Sequence, residues 1–207
     1  MKSDMTKHLS HRLPAEWEAQ SFIQLTWPHE ETDWLPYLEE AQRCFLQIAK
    51  ETVKREDLLI VAPDAAKVMA GLKQAGVLDS NARFSPRETG TLACSTDGHH
   101  IVIYECPTND TWARDHAFIT TIDNGEPILN DFCFNGWGQK FASNKDNTIN
   151  ECLFLDRIIR RSDNGSAPLY SDHRHTVLEG GSIESDGKGF LLSTSSCLLA
   201  PNSNWFD

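Results

Sequence analysis

The 207-residue sequence lacks any pair of cysteines at CxxC spacing, any apolar run long enough to cross a bilayer, and any excess of basic residues. Each absence excludes a class. Six scattered cysteines (Cys44, Cys94, Cys106, Cys133, Cys152 and Cys197) supply neither a zinc-ligand pattern nor a disulfide framework, so reduced buried thiols are expected. The formal charge of −11 argues against a nucleic-acid partner, which calls for a basic stripe. No Ser-His-Asp set is legible, and Gly187-Lys188-Gly189 lacks the phosphate-loop pattern that a nucleotide site needs. Residues 1–12 have no apolar core of the signal-peptide kind. A cytoplasmic location, with no membrane and no nucleic acid as partner, is therefore expected.

What is present is an ordinary globular composition, 40% hydrophobic and 24% charged, with six Trp and ten Phe for packing. The length suits one domain with a substantial core, taken as 13–207, after a disordered or weakly ordered segment 1–12. Ser21–Trp27 reads as a strand stopped by Pro28. Leu35, Leu38, Ala41, Phe45, Ile48, Ala49 and Thr52 recur at helical spacing from Trp34 to Lys54, with Thr32 or Asp33 as the cap. Asp57–Ala62 is a buried strand, and Pro63-Asp64 opens a second helix that ends at Gly76. Residues 79–98 read as irregular. The strand at 99–105 leads into a loop, and Ala117–Ile122 is expected as its hairpin partner. Asn124-Gly125 turns the chain into Pro127-Ile128-Leu129. Residues 131–148 form a long loop rich in Gly, Asn and aromatics, of the kind that carries function. Helical periodicity returns over 149–161, and 185–189 is a hairpin turn. Alternation of strands and helices gives an α/β or α+β class.

The stretch Asn109-Asp110-Thr111-Trp112-Ala113-Arg114-Asp115 carries the clearest chemistry. An indole packs against the face of a flat cation while a carboxylate takes its N–H fork, and a guanidinium is the cation of that shape. Glu179, before Gly180-Gly181, is a second carboxylate for the same cleft. Duller readings stand beside these. Trp112 could be a core residue with Asp115 paired to Arg114 or capping a turn, and Glu179 could bond only to the glycine backbone. His173 and His175 share a strand face as metal ligands do, but surface histidines are the better reading without a nearby carboxylate. Cys44 and Cys197 read as structural thiols.

Leu13-Pro14-Ala15-Glu16-Trp17-Glu18, Thr26-Trp27-Pro28-His29, the Asn109–Asp115 stretch, Asp131–Gly138, Leu178–Glu184 and Cys197-Leu198-Leu199 follow one another in an order that resembles the agmatine deiminase and bacterial peptidylarginine deiminase family. The resemblance implies a pentein-type α/β propeller built of ββαβ modules, here incomplete. It also implies cofactor-free hydrolysis of a guanidine to a ureido group and ammonia, with agmatine going to N-carbamoylputrescine, a step of polyamine (putrescine) biosynthesis. Carried over residue by residue, Asp115 grips the guanidinium, Trp112 lines the substrate channel, Glu179 supports the binding site, and Arg114 buttresses the loop. The same resemblance calls for a His-x-Asp pair and a late Cys nucleophile that forms a thiouronium intermediate. None of the eight histidines is followed two residues later by Asp, and no Cys sits in a glycine-rich context. The expectation is therefore the N-terminal part of such a hydrolase, truncated before its nucleophile and inactive alone, with no metal. Its partner is a small cationic guanidine, and homo-oligomerisation is possible through exposed strand edges. The alternatives are a peptidylarginine deiminase, a non-catalytic guanidinium-binding or partner-pairing remnant, and, more remotely, a metal hydrolase using His173 and His175.

Overall fold

The computed structural model describes residues 11–79, 85–87, 90–94, 99–159 and 168–199. In chain order its elements are β1 (His11–Arg12), β2 (Phe22–Thr26), α1 (Leu38–Thr52), β3 (Asp57–Ala62), α2 (Ala65–Gln74), β4 (Ser85–Arg87), β5 (Gly90–Cys94), β6 (His100–Glu105), α3 (Ala113–His116), β7 (Ile119–Asp123), β8 (Glu126–Cys133), α4 (Gly136–Gln139), α5 (Asp146–Leu155), β9 (Leu169–Val177), β10 (Ile183–Ser185), β11 (Leu191–Ser193) and α6 (Ser195–Leu198). They build a five-stranded sheet ordered β2-β3-β6-β5-β4, a four-stranded sheet ordered β1-β7-β8-β9, and the hairpin β10-β11. This is a mixed α/β fold.

β3 is the strand that fixes the first sheet. It runs parallel to both β2 and β6, with Ile60 opposite Leu25 on one side and Ile103 on the other. Its unbroken apolar run has a simple cause, because both faces are covered. Leu58, Ile60 and Ala62 pack with Ala49 and Val53 near the end of α1 and with Val68, Met69 and Leu72 of α2. Leu59 and Val61 face the other way, onto Tyr104, Leu129, Ile149 and Leu153. Helix α5 thus seals the second face and joins the two sheets through one core.

The second sheet begins as a hairpin. Asn124-Gly125, both left-handed, connects β7 to β8, and α5 carries the chain across to β9, parallel to β8. Buried Asp131 of β8 is neutralised locally, since it accepts from Asn150 Nδ2 and Tyr170 OH (both 2.8 Å) while the Arg174 guanidinium lies 3.8 Å away. A buried carboxylate without such partners would be costly.

Several sequence expectations need correction. β7 is not the partner of β6; it pairs with β1 and β8 in the other sheet, because α3 redirects the chain between them. Segment 79–98 is not wholly irregular, since β4 and β5 add two antiparallel strands to β6. Neither Thr32 nor Asp33 caps the first helix, which starts as a 3-10 turn at Leu35–Tyr37 with Pro36 near its start and no side-chain cap. Asp64 does cap α2, accepting from Lys67 N–H at 2.9 Å. His11 and Arg12 of the supposed loose terminus form β1 against β7. The helix expected over 149–161 is α5, which starts three residues earlier and ends at Leu155, with Arg157 at positive φ just beyond it; residues 1–10, 160–161 and 200–207 lie outside the described residues. No helix among the described residues is long and apolar enough to cross a membrane.

Coverage of β3 on both faces has a testable consequence. Leu59→Ala and Ile60→Ala, adjacent but oppositely directed, should each lower the unfolding free energy by about 2–5 kcal/mol in urea titrations. A cost confined to one of the two would contradict the double coverage.

Candidate functional site

The residues singled out in the sequence lie where three loops meet. The Pro107–Thr111 segment leaves β6 and is strapped to the start of α5, 36–37 positions downstream. Asn109 Oδ1 accepts the Lys145 and Asp146 N–H groups (2.7 and 3.2 Å), and the Asp146 carboxylate accepts the Asn109 N–H at 2.7 Å. This reciprocal bonding caps the helix from a distance and fixes the loop. Trp34 Nε1 donates to Thr111 Oγ1 at 2.9 Å, which fastens the loop from the other side.

Helix α3 then turns Asp115 inward. Asp115 is buried, and its Oδ1 accepts the Gly181 N–H at 3.1 Å. His116 beside it is buried too, with Nε2 3.1 Å from Thr26 Oγ1 and its carbonyl accepting from Asn150 Nδ2 at 2.9 Å. Burial pushes the imidazole down to about 4, so His116 anchors α3 as a neutral ring. Arg114 leaves in another direction and pairs with Glu16 and Glu184. It buttresses the loop and does not serve as the main partner of Asp115.

The two glycines after Glu179 are explained by close approach and not by positive φ. A Cβ at Gly180 would strike the Arg114 carbonyl oxygen, and one at Gly181 would strike the Asp115 carboxylate. Glu179 is consequently held beside Asp115. Its carboxyl is raised above the ordinary range by burial and then by repulsion from Asp115. Asp115 is likewise raised by burial, with the Gly181 N–H, Arg114 and the Trp137 side chain pulling the other way.

Trp112 is partly exposed at 38% and packs edge-on to Trp137, ring centroids 4.8 Å apart, with Trp34 tilted against it at 6.5 Å. Trp137 also meets Phe134 and Phe141 at 5.5 and 5.6 Å. A cavity of about 230 Å³ is lined by Trp137, Glu179, Asn135, Lys140, Ser182 and Cys197 among others. Trp112 and Asp115 are not in its wall but adjoin it through Trp137. The three residues chosen from sequence are thus brought together, and the residue that connects them was missed. In the sequence Trp137 falls in a long Gly- and Asn-rich loop and in the Asp131–Gly138 motif of the resemblance, with no role of its own. The available signal was Gly136-Trp137-Gly138, which adopts left-handed backbone over four residues, 136 to 139. Such backbone costs an L-residue about 1–2 kcal/mol per position, so Trp137 and Gln139 are strained.

Other candidates fare differently. His173 Nε2 bonds Ser171 Oγ at 2.8 Å and its ring stacks on Phe132, while His175 lies 6.4 Å away by ring centroid. Among the described residues no group of three or more His, Cys, Asp or Glu could hold a metal. Cys197 is exposed at the cavity wall, not a core thiol.

A family model described as Porphyromonas-type peptidyl-arginine deiminase matches residues 12–205. A curated relative from Shewanella sp. (strain W3-18-1), provisionally named an agmatine deiminase, is 29% identical over 198 residues, covering 93% of this chain and 45% of its own. Of the solved structures, C. jejuni agmatine deiminase with substrate bound is 31% identical with a TM-score of 0.71, covering 94% of this chain and 48% of that one. A provisionally named arginine deiminase from Porphyromonas gingivalis is 35% identical with a TM-score of 0.72, covering 94% and 50%. The chain spans about half the length of these relatives.

Asp146 yields a pH test of the strap. Its Oδ2 is buried without a hydrogen-bond partner, and burial raises the carboxyl from 3.8 to about 6. A carboxyl raised in the folded state stabilises fully below its unfolded value and loses that share as pH climbs through about 6. Asp146→Asn should therefore gain stability relative to the parent between pH 4 and 7, by up to about 3 kcal/mol, in paired denaturation curves. A pH-independent difference would refute the assignment.

Proposed function

The chain belongs to the Porphyromonas-type peptidyl-arginine deiminase family, and we propose that it supplies the guanidinium clamp of an agmatine deiminase-type hydrolase. The observation that carries this reading is a pair of carboxylates, Asp115 and Glu179, both raised by burial beside an aromatic wall. Two acids pushed upward at one place demand a cation. A guanidinium offers five N–H donors in a plane and would lower both raised carboxyls again while Trp112 and Trp137 pack against it.

The reaction of the whole protein, on this reading, adds water across the guanidinium carbon and releases one nitrogen as ammonia, leaving a ureido group. Agmatine would give N-carbamoylputrescine, a cytoplasmic step toward putrescine. Asp115 and Glu179 orient the central carbon, and the buttress Arg114–Glu16–Glu184 keeps Asp115 in place. In the whole protein the two sheets would be sectors of a pentein-type propeller. The 207 residues contain no His-x-Asp pair and no Cys in a glycine-rich context, so this polypeptide alone binds without turning over. The description of the family model favours peptidyl-arginine as a second substrate reading.

Two measurements test the proposal. Ammonia release from agmatine by the 207-residue chain should stay at background, and enzyme-level turnover would overturn the inactive-alone reading. Calorimetry at neutral pH should detect agmatine, with N-acyl-arginine amide as the competing ligand. Asp115→Ala should weaken binding roughly tenfold or more, the loss of charge-assisted hydrogen bonds. Equal affinity in parent and variant would remove Asp115 from the clamp.

A further inference from the structure

The connection from β8 to α5 spends four consecutive residues in left-handed backbone: Gly136, Trp137, Gly138 and Gln139, at φ 62°, 55°, 80° and 65°. An ordinary connector has no need of this conformation, which L-residues avoid. The turn is nevertheless closed by regular bonds. Gln139 N–H donates to the Asn135 carbonyl at 2.8 Å and Lys140 N–H to the Gly136 carbonyl at 3.0 Å. The Asn135 side chain accepts the Gly138 N–H at 2.9 Å. At Gly136 a side chain is excluded, because a Cβ would strike the Phe141 carbonyl.

The product of this geometry is the placement of one ring. Trp137 stands edge-on to Trp112, is braced by Phe134 and Phe141, adjoins Asp115, and shares the cavity wall with Glu179. A ring needed only for packing could have come from right-handed backbone at lower cost.

We infer that the left-handed turn 136–139 exists to hold Trp137 between the Trp112 ring and the Asp115 carboxylate, which makes Trp137 a positioning residue of the clamp. The identity of the ligand rests on the deiminase reading above, but the seating of Trp137 against Asp115 does not. The indole pulls the Asp115 carboxyl downward, alongside the Gly181 N–H and Arg114, and Glu179 is the other charged group facing that carboxyl. Removing the indole N–H while keeping a ring therefore has a signature that a packing role lacks.

The test uses the full chain. The Asp115 carboxyl is titrated by carbon-13 NMR in the parent, Trp137→Phe, Gly138→Val and Gly138→Asn, and agmatine affinity is measured by calorimetry in parallel. Trp137→Phe should move the midpoint to higher pH and weaken agmatine binding roughly tenfold. Gly138→Val, intolerant of left-handed backbone, should act in the same direction. Gly138→Asn, which tolerates that backbone, should stay close to the parent. An unmoved midpoint in a folded Trp137→Phe protein overturns the inference whatever agmatine does, and this variant decides the matter if Gly138→Val fails to fold. A shifted midpoint in a chain whose parent never binds agmatine upholds the positioning role and refutes the guanidine ligand instead.

Discussion

The Gly181 N–H meets Asp115 Oδ1 at 3.1 Å across a separation of 66 residues, and the geometry of the site follows from that contact. A buried carboxylate must be met by donors, and here one of them is backbone, so the two stretches of chain must approach without side chains between them. That requirement makes positions 180 and 181 glycine. It also sets Glu179, the preceding residue, beside Asp115, where each carboxyl sits in a partly dry environment and Glu179 feels the charge of its neighbour. Arg114, whose carbonyl occupies the space above Gly180, sends its guanidinium outward to Glu16 and Glu184. The guanidinium is thereby kept away from the space between Asp115 and Glu179.

Rigidity comes from the elements behind these loops. β3 is buried between helices on one face and α5 on the other, so the sheet cannot slide without opening two cores. α5 contributes to the second core through Ile149 and Leu153 and grips the Asn109 loop through its first turn. His116, held neutral, ties α3 to β2 and to α5. Trp112 and Phe141, both packed on Trp137, are exposed, whereas Asp115 is buried.

Much of this was legible in the sequence, for identifiable reasons. β3 announced itself by an apolar run, α1 by its period, and α2 by Asp64 and its apolar stripe. Trp112, Asp115 and Glu179 stand out in the sequence because an indole and two acids suit one kind of cation, and the fold groups them around Trp137. The pairing of β7 was not, since sequence adjacency suggested a hairpin with β6 while α3 delivers the strand to another sheet. β4 and β5 escaped notice because Ser85-Pro86-Arg87 and Gly90–Cys94 are short and weakly apolar. The distant capping of α5 by Asn109 is non-local and leaves no local pattern. Trp137 stayed hidden for a related reason. Two glycines around an aromatic residue announce freedom, and only the three-dimensional neighbours reveal which conformation that freedom serves.

The first stretch of the described chain is stitched to its last hairpin. Ser185 Oγ donates to the Leu13 carbonyl at 2.8 Å over 172 positions, and Arg12 forks onto Glu18 while reaching the Gly187 carbonyl at 3.3 Å. The bonds to the Leu13 and Gly187 carbonyls, unlike the local Arg12–Glu18 pair, have a loop-closure entropy that is met only once the intervening sheets are in place. The Glu16–Arg114–Glu184 bridge shares those same two ends. The pair Asp115 and Glu179 thus rests on contacts that span the described chain from Arg12 to Gly187, so loosening either of those segments reaches the acids through Arg114.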